Sequence, residues 1–138
     1  MSMLDLEIIT PEKLLVHEEV DLVEATGVMG EFGILPGHVK LLASVDIGEI
    51  RYLKDGRMRC IATSGGFSEV VDDKVVFLVE TAEFAEEIDL DRATKAKERE
   101  ESLLKDLSAT DAIAELALHE LALKRAMARI SAASKRLG

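Results

Sequence analysis

The sequence predicts an α+β fold in which an antiparallel β-sandwich is followed by an antiparallel hairpin of two helices. Through the first half of the chain, apolar residues alternate with polar ones, which is the period of a half-buried strand. Beyond about residue 87 the period becomes helical, and no glycine or proline occurs from Leu90 until Gly138. We therefore expect a sandwich domain over 1–86 and a helical domain over 87–138.

Turn signals separate the predicted strands. Asp55-Gly56 is the dipeptide that most strongly favours a tight hairpin, and Asp72-Asp73 predicts a second tight turn. The glycines at 65 and 66 allow the chain to bend between two further runs. Many short strands at this spacing are typical of a sandwich or a barrel.

Two helices are predicted in the second half. Asp89 is well placed to cap the first one, because its carboxylate can accept hydrogen bonds from the free amides of the first turn. The segment 107–111 contains residues that favour caps and turns, so it predicts a break. A second helix follows, with apolar residues repeating every seven positions at Leu116, Leu123, Ile130 and Leu137.

Composition excludes several classes of protein. The chain has 138 residues and a net charge of −10, which fits one compact unit with an appendage and argues against nucleic acid as a partner. Its single cysteine, Cys60, excludes an internal disulfide and fits a reducing compartment. We see no signal peptide and no apolar run of the roughly 20 residues that a membrane helix needs.

Charge is distributed unevenly along the chain. Acidic residues outnumber basic ones in 1–86, whereas the two are balanced in 87–138. After Glu120 every charged residue is basic, namely Lys124, Arg125, Arg129, Lys135 and Arg136. This asymmetry indicates either two segments with different partners or a helix end that suits its own dipole.

Residues 27–38 read GVMGEFGILPGH and suggest a glycine-rich loop. No lysine follows these glycines, as a Walker loop requires, and no helix opens after them, as a dinucleotide loop requires. Glutamate and histidine are residue types that serve as general acids and bases, so Glu31 and His38 leave an acid/base site open as an alternative. The glycines otherwise supply turns, and the apolar residues among them suit a docking loop.

The helical arginines form two pairs. Arg92 and Arg99 are seven residues apart in the first helix, and Arg125 and Arg129 are four apart in the second, so each pair shares a face. If the hairpin closes, the pairs converge, and converging guanidinium groups bind a polyphosphate. Ordinary surface salt bridges with neighbouring glutamates are the alternative.

The series of motifs resembles the epsilon subunits of bacterial F-type ATP synthases. The segments GEFGILPGHVKLL, GEIRYL, SGGFSEVVDDKVVFLVETAE and IDLDRA occur in that order, before a helical hairpin. The resemblance implies a sandwich of about ten strands, no catalysis by this chain and no required cofactor. It also implies a peripheral position on the cytoplasmic face of the bacterial membrane, in the central stalk of a proton-translocating complex.

The resemblance also implies partners and their contact residues. The sandwich would bind the γ subunit, and Glu31 and His38 would contact the c ring. The hairpin would swing from a compact to an extended form that enters the α/β catalytic head and inhibits ATP hydrolysis. In that form the contacts would come from the basic end of the chain, namely Lys124, Arg125, Arg129, Lys135 and Arg136.

ATP is implied as a regulatory ligand of the compact form. The family motif Ile/Leu-Asp-x-x-Arg-Ala is present over 88–93. The implied nucleotide-binding residues are Glu83, Asp89, Arg92, Arg99, Arg125 and Arg129. Departures from the family pattern occur at Val39-Lys40, where Ala-Pro is usual, and at Ile47, where proline is usual, so we expect a looser edge of the sandwich there.

Three other functions stay open at this point. The first is a free-standing nucleotide sensor, and the second is an acid/base enzyme centred on Glu31 and His38. The third is a scaffold whose helices never move.

Overall fold

A computed structural model describes residues 3–37, 40–107 and 113–136 of the chain. Over these residues, nine strands precede a short 3₁₀ turn, Ala85–Glu87, and two helices. The strands are β1 (Leu4–Ile9), β2 (Leu14–Val20), β3 (Leu22–Gly27), β4 (Gly30–Ile34), β5 (Leu41–Lys54), β6 (Arg57–Thr63), β7 (Gly66–Val71), β8 (Lys74–Val79) and β9 (Ala82–Phe84). The helices are α1 (Leu90–Asp106) and α2 (Ile113–Ala133).

One long strand belongs to both layers of the sandwich. The first part of β5, from Leu41 to Val45, pairs with β7, and the second part, from Gly48 to Lys54, pairs with β6. One layer is therefore β2-β1-β8-β7-β5, and the other is β4-β3-β5-β6-β9. Because β5 is counted in both layers, the nine described strands fill ten strand positions, five in each layer. This architecture agrees with the predicted fold class.

The core lies between the two layers. Leu4, Leu6 and Ile8 in β1 are fully buried there, which confirms the alternation seen in the sequence. Tyr52 of β5 and Phe77 of β8 are the largest fully buried side chains. Aliphatic residues supply most of the rest of this core.

One strand pair departs from the expected antiparallel arrangement. β1 pairs with β2 in antiparallel fashion but with β8 in parallel, with Leu6 opposite Val75. The chain between β1 and β8 is long enough to make the crossover that a parallel pair requires. The alternation of apolar residues is the same in both kinds of pair, so it did not reveal the strand direction.

Both predicted tight turns form. Asp55 and Gly56 have positive φ angles of 51° and 76°, which is the conformation of a type I′ hairpin turn. Asp72 and Asp73 have φ angles of 50° and 60° and join β7 to β8 in the same way. Aspartate tolerates this left-handed region better than most residues.

The two helices pack together as an antiparallel hairpin. Asp89 caps α1 as predicted, since its Oδ1 accepts a hydrogen bond from the Arg92 amide at 3.1 Å. Between the helices, His119 Nδ1 lies 2.6 Å from Oε2 of the buried Glu100. The helix that lies on the sandwich is α2, which contacts β5 and β6.

We predict that Gly66→Ala destabilises the sandwich by about 3 kcal/mol, because the added methyl group would overpack the sheet. A Cβ at Gly66 would lie 2.0 Å from the carbonyl oxygen of Leu78 and 2.8 Å from the Cα of Val79, and neither backbone atom can yield. Urea unfolding measures the loss. Gly33→Ala is the control, since its nearest neighbour lies 3.9 Å away; an equal loss in both variants would contradict the prediction.

Candidate functional site

The basic end of the chain lies against acidic residues of the sandwich. Lys124 Nζ donates to Asp46 Oδ2 at 2.8 Å. Further along α2, Arg129 binds Glu83 with two donors, Nε to Oε1 at 2.9 Å and Nη2 to Oε2 at 3.3 Å. The basic segment and the acidic sandwich therefore form ion pairs with each other in this conformation, which accounts for the charge asymmetry of the sequence.

Glu49 is the most buried carboxylate of this interface, with only 6% of the residue exposed. Its Oε2 accepts hydrogen bonds from Ser131 Oγ and Lys135 Nζ, both at 2.8 Å, and its Oε1 accepts one from Arg51 Nη1 at 2.9 Å. Burial acts to raise the pKa of Glu49, but the hydrogen bonds from Lys135, Ser131 and Arg51 outweigh it and hold that pKa below its ordinary value.

The last described residue ties the end of the chain to the start of the hairpin. Arg136 Nε donates to the carbonyl oxygen of Ala85 at 3.0 Å, and its Nη2 donates to that of Ile88. Both carbonyls belong to the connector between the sandwich and α1. The beginning and the end of the hairpin are therefore held at the same place.

A cavity of about 460 Å³ opens between α2 and the end of the sandwich. Arg125, Arg129 and Lys13 contribute its basic groups, and hydroxyls such as that of Thr81 add neutral donors and acceptors. Its acidic groups are Glu12, Glu80, Glu83 and Glu87. The mixture suits a ligand with separate regions: cations and hydroxyls bind phosphate oxygens, and carboxylates accept hydrogen bonds from amino or hydroxyl groups.

Half of the implied nucleotide-binding residues come together at this cavity. Glu83, Arg125 and Arg129 line it, and the first and last are already paired with each other. The other three are outside this lining, one at the N-cap of α1 and two within that helix. Asp89 caps the helix, and Arg99 extends into solvent with its Nε 3.8 Å from Glu100 Oε1.

Arg92 is exposed in the first turn of α1, beside the connector. Side-chain rotation, rather than movement of the helix axis, would be the simplest way to bring its guanidinium to a ligand. In this conformation Arg125 and Arg129 line the cavity, whereas Arg92 and Arg99 do not.

The glycine-rich segment forms an edge of the sandwich. Its strand, β4, is the last strand of its layer, and Glu31 on that strand forms an ion pair with Arg51. At the turn before β4, Met29 is 98% exposed and Val28 is also exposed. His38 lies outside the described residues, so the expected pair of Glu31 and His38 is not tested.

Sequence reasoning overlooked Glu49, Asp46 and Lys13. The only signal for Glu49 is an acidic residue among the apolar residues of the β5 segment DIGEI. Neither its burial nor its pairing with Lys135, which lies 86 positions later, can be read from periodicity.

The described residues lack two features, a metal-binding cluster and a membrane-spanning helix. They hold no group of three or more metal-ligating side chains of the kind that binds an ion. None of the helices formed by this part of the chain has the length and apolar character needed to cross a membrane.

Comparison with known families decides the identity of this architecture. The model of the ATP synthase delta/epsilon chain β-sandwich domain matches residues 3–85. The model of the long α-helix domain of the same chain matches residues 86–134. The chain belongs to the ATP synthase delta/epsilon chain family. Together the two matches cover the sandwich and the hairpin.

Curated relatives agree with the family assignment. The ATP synthase epsilon chain of Geotalea daltonii is 48% identical over 132 residues, which span 96% of this chain and 94% of that relative. The ATP synthase epsilon chain of Nitratidesulfovibrio vulgaris is 46% identical over 127 residues, or 92% of each chain. The resemblance to bacterial epsilon subunits is thereby confirmed, and with it the assignment to a non-catalytic subunit of the ATP synthase that serves ATP synthesis and proton transport.

Solved structures share the fold. A chain in the mitochondrial ATP synthase of Euglena gracilis, in an assembly of OSCP, F1 and c ring, aligns with a TM-score of 0.82 at 23% identity, over 94% of this chain and 81% of that one. A chain in the central stalk and c ring of the Tetrahymena thermophila mitochondrial enzyme aligns with a TM-score of 0.68 at 13% identity, over 94% and 96%. At these identities the likeness concerns the fold alone.

We predict that Glu49→Gln lowers the free energy of unfolding by about 2 kcal/mol at pH 7, since the charge-assisted hydrogen bonds of Lys135 and Arg51 lose their carboxylate. The folded pKa of Glu49 is depressed, so its contribution is present above the ordinary glutamate pKa of about 4.3 and is lost as the pH falls through the folded value. The difference between wild type and variant should therefore shrink at pH 3.

Urea unfolding followed by ellipticity at both pH values measures this difference. Glu69→Gln is the matched control, because Glu69 is an exposed carboxylate of β7. A difference of the same size at pH 7 and pH 3 would show that Glu49 acts through packing and not through its charge.

Proposed function

We propose that this chain is the epsilon subunit in the central stalk of a bacterial proton-translocating F-type ATP synthase, peripheral on the cytoplasmic face of the membrane. It joins the catalytic head to the c ring, and its helical domain, about 87–138, regulates ATP hydrolysis. The observation that carries the proposal is the docking of α2 on the sandwich through Lys124–Asp46 and Arg129–Glu83. A hairpin held mainly by polar contacts can be released without unfolding the sandwich.

The surface proposed to bind the γ subunit is an apolar patch on the outer face of the sandwich. Phe67 of β7 and Leu78 of β8 are cross-strand partners, and both are more than half exposed. Leu42 of β5 is 72% exposed and occupies the neighbouring cross-strand row. Adjacent exposed apolar residues on a sheet mark a protein interface, and this one lies within the proposed sandwich domain, 1–86.

The surface proposed to face the c ring is the edge formed by β4 and the turn before it. Met29 and Val28 offer apolar contact at the tip, and Glu31 offers a carboxylate that Arg51 holds in place. This arrangement suits contact with polar loops that carry basic groups. Because the Glu31 carboxylate is engaged by an arginine, an acid/base enzyme is a less suitable interpretation of this edge.

The cavity beside α2 is the proposed site of ATP in the compact form. Glu83 would accept a hydrogen bond from the base or the sugar, and Arg125 and Arg129 would hold phosphate oxygens. Arg92 and Arg99 of α1 would complete the phosphate site by rotation of their side chains. Since the ligand would contact both helices and the sandwich, it would favour the compact state. At a hundred times its dissociation constant it would add about 2.7 kcal/mol.

Loss of ATP would weaken the attachment of the basic end of the chain to the sandwich. Lys124, Arg129 and Lys135 have carboxylate partners in the compact form, so they become available to the catalytic head only after undocking. The same residues then serve two alternative partners, which makes inhibition and docking mutually exclusive.

We predict that the isolated chain binds Mg-free ATP with measurable heat, and that Arg92→Ala and Arg125→Ala each weaken the affinity at least tenfold, because each removes a charged donor to phosphate. Titration calorimetry makes the measurement. Lys95→Ala is the matched control, since Lys95 is an exposed cation of α1. Absence of heat from the wild type at millimolar nucleotide would end the proposed ATP site.

We also predict that Phe67→Glu and Leu42→Glu weaken binding to the γ subunit about thirtyfold or more, because burial of each apolar side chain contributes about 2 kcal/mol. Gel filtration and surface plasmon resonance with purified γ subunit test this effect. Leu118→Glu is the control, as an exposed apolar residue on α2. Equal affinity of the two patch variants and the control would place the interface elsewhere.

A further inference from the structure

We propose that the last turn of α2 and the residues after it form a latch that holds the hairpin on the sandwich without nucleotide. The latch consists of Ser131, Lys135 and Arg136. This inference depends on the proposed function, in which the hairpin moves. Ser131 and Lys135 lie four residues apart, one turn of helix, and both donate to the same oxygen, Oε2 of Glu49. One buried carboxylate thus receives two donors from the end of the chain.

Arg136 supplies the second half of the latch. Its guanidinium donates to the carbonyls of Ala85, the first residue of the 3₁₀ turn of the connector, and of Ile88, the residue that follows that turn. These carbonyls lie before the first turn of α1. The fixed fork of the guanidinium matches two carbonyls held in one geometry, and a more flexible lysine would not match them equally well. Arg136 therefore joins the end of the hairpin directly to its hinge.

Small apolar residues close the contact between these polar groups. Ala132 and Ala133 pack in one buried cluster with Cys60 and Ala62 of β6, beneath the end of α2. Because an alanine side chain buries little area, this cluster contributes less hydrophobic free energy than a contact made of leucines would. Its main effect is to exclude water from Glu49 and from the thiol of Cys60, which is only 2% exposed.

The latch can open without leaving an unpaired buried charge. Arg51 is two residues beyond Glu49 on the same strand, so their hydrogen bond at 2.9 Å survives when α2 leaves. Removal of one partner from a buried pair is strongly destabilising only when the other charge stays buried and unpaired. Here Glu49 keeps a cation and also becomes exposed to water. The latch thus gives a docked state that is specific but reversible.

The latch is separate from the proposed nucleotide cavity. Ser131, Lys135 and Arg136 are not among the residues that line that cavity, whereas Arg125 and Arg129 are. The attachment of α2 therefore includes one part that would respond to nucleotide, at Arg125 and Arg129, and one part that would not, the latch. Release of the nucleotide leaves the latch and the Lys124–Asp46 ion pair as restraints on opening.

Cys60 provides a direct readout, because it is the chain's single cysteine and the end of α2 covers it. Burial raises the pKa of its thiol to about 12, so the closed form reacts very slowly. Pseudo-first-order labelling of the full-length chain with a maleimide at pH 7 measures how often the latch opens. Labelling in urea gives the intrinsic rate for each variant.

Arg136→Ala should raise the normalised labelling rate about tenfold or more, and Ser131→Ala about threefold or more, because each loses hydrogen bonds that involve a charged group. Lys95→Ala removes an equal charge from an exposed position of α1 and should change the rate less than twofold. Thermal melts should show an unchanged sandwich transition in all variants. Neither substituted side chain belongs to the apolar core between the two layers of the sandwich.

Unchanged labelling in both latch variants would overturn the latch. It would also be overturned if the faster labelling came with an equal loss of sandwich stability, since global unfolding would then expose Cys60. ATP separates this proposal from the previous one. If the latch variants label faster but saturating ATP slows none of the chains, the latch stands and ATP sensing fails.

Discussion

The compact form depends on the contact between the basic end of α2 and a sandwich that is rich in carboxylates. The hairpin has a modest apolar face of its own, and its main contacts with the sandwich come from α2. Glu49 is the centre of that contact, because it is buried and yet accepts hydrogen bonds from three side chains. A buried carboxylate is stable only when it is well paired, so the docked position of α2 is strongly specified even where little apolar area is buried.

β5 gives this contact its place in the fold. The strand passes from one layer to the other. Asp46 lies between the two parts of the strand, and Glu49 and Arg51 lie on its second part. The first two bind α2, while Arg51 also reaches Glu31 on the edge strand β4. A single continuous strand thus carries the docking surface of the hairpin and supports the edge that we propose faces the c ring.

In the proposed mechanism, docking and inhibition use the same basic residues. A cation that is paired with the sandwich is not available to another subunit, so the two states exclude each other by charge alone. The free-energy difference between them is set by the polar contacts of α2 and by any ligand that favours one state. Regulation in this mechanism requires no change inside the sandwich, because the apolar core between its two layers is formed by residues of the strands.

The sequence by itself determined the elements that depend on local pattern. The alternation of apolar and polar residues predicted the strands. Asp55-Gly56 predicted a tight turn, which requires positive φ angles at both residues, and Asp89 predicted the start of α1. The order of the motifs also identified the family. These features follow from residues close together in the chain, where period and propensity are sufficient.

Tertiary structure alone decided which charges meet. Glu49 and Lys135 are 86 positions apart in the sequence, and Glu83 and Arg129 are 46 positions apart. No periodicity relates residues at such separations. The expected convergence of four arginines illustrates the same limit, because only Arg125 and Arg129 reach the cavity in this conformation. Shared helical faces can be inferred from spacing, but the facing surface depends on how the hairpin lies on the sheet. That placement results from many polar and apolar contacts between residues far apart in the sequence. Local sequence patterns do not predict which of these residues meet.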